Sequence, residues 1–421
     1  MEALDTSCVI VGGGPAGMML GLILARAGLD VVVLEKHADF FRDFRGDTIH
    51  PSTVTLLGEL GLRERFLALP HTSIRTLDVV VNGSRLHPID FGRLGAPDDF
   101  LVLAPQWDFL SFLGSEAAVN PGFHLLMETE ASDVIVEDHA IRGVVVRGPD
   151  GVREVRAPLT VAADGRDSRI RTAAGLLPRR FGVGIDVLWF HLPKPAVAPP
   201  STLAYVDEGA MVVTIDRGDY YQTGLIIPKG GFDALKASGL EAFRQLLATT
   251  APVLAPVAGS ITDWEAVKLL SVQINRLERW YRSGLLAIGD AAHAMSPAFG
   301  VGVNYAVQDA VAAANALAAP LRAGAVDLRV LDAVQRRRLP PVARMQSLQI
   351  AAHARIARPG GTTLLPDPLP APARWGLDAA MPLVQRLTAR VIGRGFLPES
   401  LAPELREPGS GLRRGASARS R

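Results

Sequence analysis

The segment that most constrains this chain lies at its start. Cys8–Val11 is a run of four apolar residues, Gly12-x-Gly14-x-x-Gly17 follows, then a helical pattern from Met18 to Ala27 and a second apolar run from Asp30 to Leu34. A strand, a glycine turn, a helix and a second strand in this order form a βαβ unit, and the turn carries a dinucleotide fingerprint. Gly12 permits the tight turn, Gly14 lets backbone N–H groups approach a pyrophosphate at the helix N-terminus, and Gly17 lets helix and strand pack closely. Glu35, 18 residues beyond Gly17, ends the second run, where a carboxylate accepts hydrogen bonds from ribose hydroxyls and repels a 2′-phosphate. The motif therefore selects an ADP-containing group, FAD or NAD, without separating the two.

Composition removes other classes. The 421 residues hold 44 basic and 43 acidic side chains, which disfavours a nucleic-acid partner. A single cysteine, Cys8, excludes an internal disulfide framework and a Cys-rich metal site, and its place on the first strand reads as core. No metal is expected. The N-terminus lacks a basic leader, and no run reaches the ~18 apolar residues of a spanning helix, so a cytoplasmic protein is expected.

Farther along, alternation predicts strands at Thr76–Val81 and Arg85–Ile89, a helix at Gln106–Ala118, and β structure from Phe123 to Ala163. Several strands are expected over 183–228 and one amphipathic helix over Phe232–Leu247. Leu285–Ile288 reads as a buried strand and Gly302–Ala319 as a small-residue helix. Residues 327–355 have a helical pattern, Pro366–Pro372 is a proline-rich linker, Leu377–Ile392 forms one more helix, and Gly409–Arg421 is expected to be disordered.

Two further motifs place an aspartate at a strand end before a helix: Asp164-Gly165 continuing to Arg171, and Gly289-Asp290 continuing through His293, Ser296 and Pro297 to Gly300, Gly302 and Asn304. Additional strand-end carboxylates facing one crevice suit a ligand longer than ADP, with a ribityl chain beyond the pyrophosphate.

With these three ordered motifs, residues 5 to 350 resemble the class A flavoprotein monooxygenases of the p-hydroxybenzoate hydroxylase type. The resemblance implies an α/β fold: a Rossmann-like FAD-binding domain over 1–75, 101–180 and 281–355, interleaved with a sheet-plus-helix substrate domain over 76–100 and 181–280, then a C-terminal helical segment and tail over 356–421. Gly12, Gly14, Gly17 and Glu35 are expected to hold the ADP half of FAD, and Arg45 and Gln106 to reach the pyrophosphate and flavin side. Asp164 and Gly165 belong to the segment serving FAD and the transient NADPH or NADH. Gly289 and Asp290 meet the ribityl chain, and Ser296, Pro297, Gly300, Gly302, Val303 and Asn304 line the isoalloxazine ring. Where many relatives carry two prolines, this chain has Ser296 before Pro297.

The implied activity is hydroxylation or epoxidation of a small aromatic or polycyclic molecule, with O2 activated as a flavin C4a-peroxide, so no amino-acid nucleophile is required. Trp189, Tyr205, Met211, Tyr221 and Thr223 are pocket-lining candidates that serve equally as core. His293 is expected to bond backbone or pack, while His50 and Asp47 divide between cofactor contact and helix capping. The alternative is a flavin-dependent reductase of a prenyl chain, which Tyr221–Lys229 loosely resembles. Halogenation is disfavoured, because a Trp-x-Trp-x-Ile motif is lacking and Trp264 stands alone.

Overall fold

The computed structural model describes residues 3–41, 48–81, 83–197, 202–207, 210–356 and 371–406. Its frame is a six-stranded sheet in the order Tyr281–Arg282, Leu285–Ala287, Thr160–Ala162, Cys8–Val11, Val31–Leu34, Phe123–Leu126. All neighbours run parallel except the edge hairpin, with Thr160 opposite both Val9 and Leu285, and Val9 opposite Val32. Cys8–Val11, Val31–Leu34 and Thr160–Ala162 are buried throughout, which accounts for their unbroken apolar runs. The helix Pro15–Arg26 packs between Gly302–Arg322 and Gln106–Ala118. A four-stranded sheet, ordered Ala3–Asp5, Gly151–Arg156, Ala140–Gly148, Glu130–Glu137, lies beside this frame.

The second large sheet has seven strands: Lys268–Leu270, Ile185–Pro193, Tyr220–Pro228, Ala210–Asp216, Thr202–Asp207, Thr76–Val81 and Ser84–Asp90. Alternation divides its two faces. Leu188, Phe190, Leu192, Val212, Leu225 and Ile227 pack with Phe243 and Leu247 in one cluster, while Val187, Trp189 and Val272 gather in another. The covering helix, read from sequence as one element, is two: Phe232–Ala237 and Leu240–Thr250, parted at Gly239 with φ +91°. A left-handed residue there ends the first helix and redirects the chain, which periodicity cannot register.

After Gly302–Arg322 comes Leu328–Ile356, then Ala371–Thr388, which runs into a π-helical turn at Ala389–Arg394. The expected linker over Pro366–Pro372 lies mostly, and the tail Gly409–Arg421 wholly, outside the described residues. Among the described residues no helix is long and apolar enough to cross a membrane, and no group of side chains is arranged to hold a metal ion.

Candidate active site

A cavity of about 880 Å³ runs between the six-stranded frame and the seven-stranded sheet. At one end lies the glycine turn. Gly12 adopts φ +110°, and a side chain there would overlap the carbonyl oxygen of Ala163 at the neighbouring strand end. Gly17 lines no cavity: a Cβ would run into the carbonyl of Gly12, so this glycine closes helix onto turn. Gly14, by contrast, faces open space within the cavity wall, and Gly302 does so at the start of the long helix. Two backbone segments, each at a helix N-terminus, thus form a cradle that Cβ atoms would fill, the shape and polarity that a diphosphate and a flavin ring require.

Glu35 stands at the cavity wall with its carboxylate fixed. Oε2 accepts the Gly13 N–H at 3.1 Å, and Oε1 accepts the His37 N–H at 3.1 Å and lies 2.6 Å from His37 Nδ1. Asp164 also lines the cavity, yet its oxygens organise the next turn: Oδ1 accepts from Ser168 Oγ at 2.5 Å, and Oδ2 accepts the N–H groups of Arg169 and Ile170 at 2.8 and 3.2 Å. Burial raises the Asp164 carboxyl above its ordinary pKa, opposed by these donors. Gly165, Gln106 and Asp290 are at the same wall. Arg171 connects the second and third motifs, donating from Nη1 to the Ala291 carbonyl at 3.0 Å and from Nη2 to the Arg166 carbonyl at 2.5 Å.

The third motif is anchored from behind. Asp309 accepts the Gly289 N–H at 3.0 Å on Oδ2, which also lies 2.5 Å from His293 Nε2, while Oδ1 accepts from Arg338 Nε at 2.9 Å. Burial alone would raise the Asp309 carboxyl, but His293 and Arg338 together hold it below the usual carboxylate range. His293 is therefore spent on a side-chain anchor rather than on backbone, and it is outside the cavity lining.

Ser296, Pro297, Gly300 and Val303 join Gly302 in the wall. Phe299 takes φ +68° and Gly300 φ +62°, two successive left-handed residues, the first of a type that pays strain for that conformation. Thr48 Oγ1 donates to the Gly300 carbonyl at 2.8 Å, and a side chain on Gly300 would strike that hydroxyl. Asn304 lies behind the wall: its Oδ1 accepts from the His50 N–H at 2.8 Å and Thr53 Oγ1 at 2.6 Å, tying the long helix to the helix Pro51–Glu59. His50 occupies the N-cap position of Pro51–Glu59. It does not cap with its side chain; Nδ1 lies 2.8 Å from the Ile392 carbonyl oxygen, and burial pulls its pKa down to about 4. Arg45 and Asp47 lie outside the described residues.

The five pocket candidates of the middle strands do not share a face. Trp189 and Met211 belong to the cavity side, where the indole rests on Gly224, a position at which a Cβ would come within 3.0 Å of the ring. Tyr205 and Tyr221 reach the cavity margin but pack in the cluster with Phe190 and Phe243, and Thr223, on the same strand face as Tyr221, is outside the lining.

Sequence reasoning missed three side chains here. Gln349 grips the Ser296–Ala298 turn, accepting the Ser296 N–H at 3.2 Å and donating to the carbonyls of Ser296 and Ala298 at 3.0 and 2.9 Å. His353 Nε2 lies 2.9 Å from Ser296 Oγ, and Thr48 holds Gly300. The available signal was the spacing Gln346, Gln349, His353, which sets three polar groups along one buried helical stripe.

Comparison with known proteins settles the class. A family model described as FAD binding domain matches residues 5–348. The 6-methylpretetramide 4-monooxygenase of Streptomyces rimosus is 33% identical over 357 residues, covering 83% of this chain and 84% of that one. The chain belongs to the FAD-dependent class A monooxygenases. This monooxygenase also aligns with digeranylgeranylglycerophospholipid reductase 1 of Methanopyrus kandleri, 28% identical over 325 residues and covering 72% and 78% of the two chains. In fold it is similar to the OxyS anhydrotetracycline hydroxylase from Streptomyces rimosus, with a TM-score of 0.72, 23% identity, and coverage of 93% of this chain and 76% of that one. FAD is thus the monooxygenase's cofactor, and the cradle at Gly14 and Gly302 fits it.

Proposed function

We propose that the enzyme oxygenates a fused-ring or otherwise extended aromatic molecule. The observation that carries this reading is the continuity of one cavity from the glycine turn to the apolar face of the seven-stranded sheet, where Ile185, Val187, Trp189, Met211 and Val213 form the wall. A mainly apolar chamber with few polar groups suits a flat ring system. The relative at 33% identity carries a polycyclic substrate in its name, which supports the same class.

The chemistry supplied on binding FAD is two-electron transfer from NADPH or NADH and activation of O2. The chain's own groups do the rest. Glu35 accepts hydrogen bonds from the adenosine ribose, the Gly14 turn and the helix from Pro15 receive the pyrophosphate, and Gln106 lies on the flavin side. Asp290 takes ribityl hydroxyls. The N-terminus of Gly302–Arg322 stabilises negative charge at the pyrimidine edge of the ring. Arg45 is assigned to the pyrophosphate on the family resemblance alone. The sheet's apolar wall keeps water from the reacting atoms. Division into an FAD-binding part and a substrate part at residues 75, 101, 181 and 281 belongs to the same proposal.

Turnover under 18O2 with mass analysis of the product is the test. One labelled oxygen atom per product molecule is expected. A product without label, formed equally well without air, overturns the proposal in favour of the reductase reading suggested by the Methanopyrus relative.

A further inference from the structure

The strand Tyr220–Pro228 lies inside the seven-stranded sheet, between Ile185–Pro193 and Ala210–Asp216. Its Gln222 sits opposite His191 and Ile215, two residues before the Gly224 that pairs with Trp189, and so belongs to the strand face that lines the cavity. At 4% exposed it is a buried polar side chain in a mostly apolar wall. Arg217, in the turn between the two strands, donates from Nη2 to Gln222 Oε1 at 2.9 Å. A guanidinium offers no acceptor, so this bond fixes which end of the amide is oxygen and makes Nε2 the free end. Nε2 bonds no described residue and keeps surface open to a water-sized molecule, so its N–H groups are available on the cavity face. Gln106 and Gln273 also stand in the wall, but among the described residues no side-chain bond fixes either one.

We propose that Gln222, oriented by Arg217, is a specificity-determining residue that donates from Nε2 to a carbonyl or phenolic oxygen on the ring frame of the substrate. The inference rests on the aromatic-substrate reading and narrows it. An open amide donor is hydrated until a ligand arrives. A hydrocarbon that displaces the water returns no bond, whereas a ring oxygen does. A site built around such a donor rejects the ligand that lacks the acceptor, because the N–H groups are then left buried and unmet. The arginine contributes twice. Its charge on Oε1 polarises the amide toward stronger donation, and its bond spares the rotamer freedom that a loose glutamine would lose on binding.

The test compares 9-fluorenone with fluorene, which share a fused-ring frame and differ in one carbonyl oxygen. Binding to the FAD-loaded full chain is followed by perturbation of the flavin absorption band. The wild-type protein is expected to favour fluorenone by about five- to tenfold. Gln222→Leu should bring the ratio near one, chiefly by weakening fluorenone. Gln222→Glu keeps an oxygen toward Arg217 but replaces the N–H groups with an acceptor, and should lose the preference as well. Arg217→Met leaves the donor in place without its tether and should lower the ratio about two- to threefold. Should Gln222→Leu fail to fold, Gln222→Glu, nearly the same shape, decides alone. Equal wild-type affinity for the two compounds overturns the proposal, as does a preference that survives both Gln222 substitutions. A ratio unchanged in Arg217→Met overturns the role given to the arginine. Binding of neither compound overturns the proposal together with the aromatic-substrate reading. FAD content and incorporation of 18O are scored separately, so the monooxygenase reading stands if only the preference for the ring oxygen fails.

Discussion

Asp309 and Arg338 form an ion pair at 2.9 Å with both side chains completely buried, although they lie on different helices. The same carboxylate holds the Gly289 N–H, so a charge pair in the core positions the backbone from which Asp290 projects. Removing the acid leaves Arg338 with Glu399 as its remaining ionic partner, at 3.0 Å. Asp309→Ala is expected to cost about 3–5 kcal/mol, the usual penalty for stranding a buried charge, and thermal unfolding measures it. A melting temperature within a degree of the wild type would show that the pair does not support the fold.

Glu35 gives a second prediction. Its carboxylate fixes Gly13 and is also the group assigned to ribose, so Glu35→Ala removes charge-assisted bonds worth about 1.5–3 kcal/mol. Titration of apoprotein with FAD should show affinity lower by about 10- to 100-fold, and Glu35→Arg should be worse. Unchanged affinity would remove Glu35 from the cofactor site.

Asp290 and Ser296 test the ribityl assignment against the turn. Asp290→Ala is expected to weaken FAD retention, measured by flavin released on gel filtration. Ser296→Ala, which removes one bond to His353 and one to Ala298 N–H, should weaken it less. The reverse order would move the flavin contact from the strand end to the turn.

Gly300 combines φ +62° with the Thr48 hydroxyl lying where a side chain would go. Gly300→Ala should therefore destabilise by roughly 1–3 kcal/mol, while Gly302→Ala, at a position open in the structure, should fold normally and lose FAD instead. Unfolding curves and flavin content separate the two effects. Equal outcomes for both would contradict the cradle.

Acid sensitivity follows from two buried histidines. Burial pulls His50 and His353 down to about 4, below the ordinary value of 6.5. Between those values the unfolded chain takes up protons that the folded chain refuses, so stability is full above about pH 6.5 and falls as pH drops toward 4, by up to about 1.4 kcal/mol per pH unit for each group. Denaturation at pH 7 and pH 5 measures the loss, and His50→Asn should make it shallower. A slope equal to the wild type's would clear His50 of the effect.

The parts of this enzyme written in contiguous residues were legible in its sequence. Gly12 and Gly17 announce themselves because a tight strand–turn–helix connection demands glycine at fixed spacing, and a side chain at either position would meet backbone. The cavity wall was largely legible: Trp189, Tyr205, Met211 and Tyr221 all line it and only Thr223 does not. Tyr205 and Tyr221 nevertheless lie on the strand face opposite to Trp189, which the pairing of Trp189 with Gly224 reveals and alternation alone does not. Gln349 and His353 were hidden for a different reason. They meet Ser296 across more than 50 residues of chain, and a helical pattern records burial but not the partner.

The seven-stranded sheet is not drawn from one stretch of chain. Its strands Thr76–Val81 and Ser84–Asp90 come from early in the sequence and dock in parallel, through Thr76–Val81, onto Thr202–Asp207 from a later stretch. A single genetic crossover that imported residues 181–280 from a cousin would set a foreign edge against the native hairpin, with Val79, Val80 and Val81 facing unfamiliar neighbours in place of Ala204, Tyr205 and Val206. A laboratory chimera must therefore carry both pieces of the sheet together.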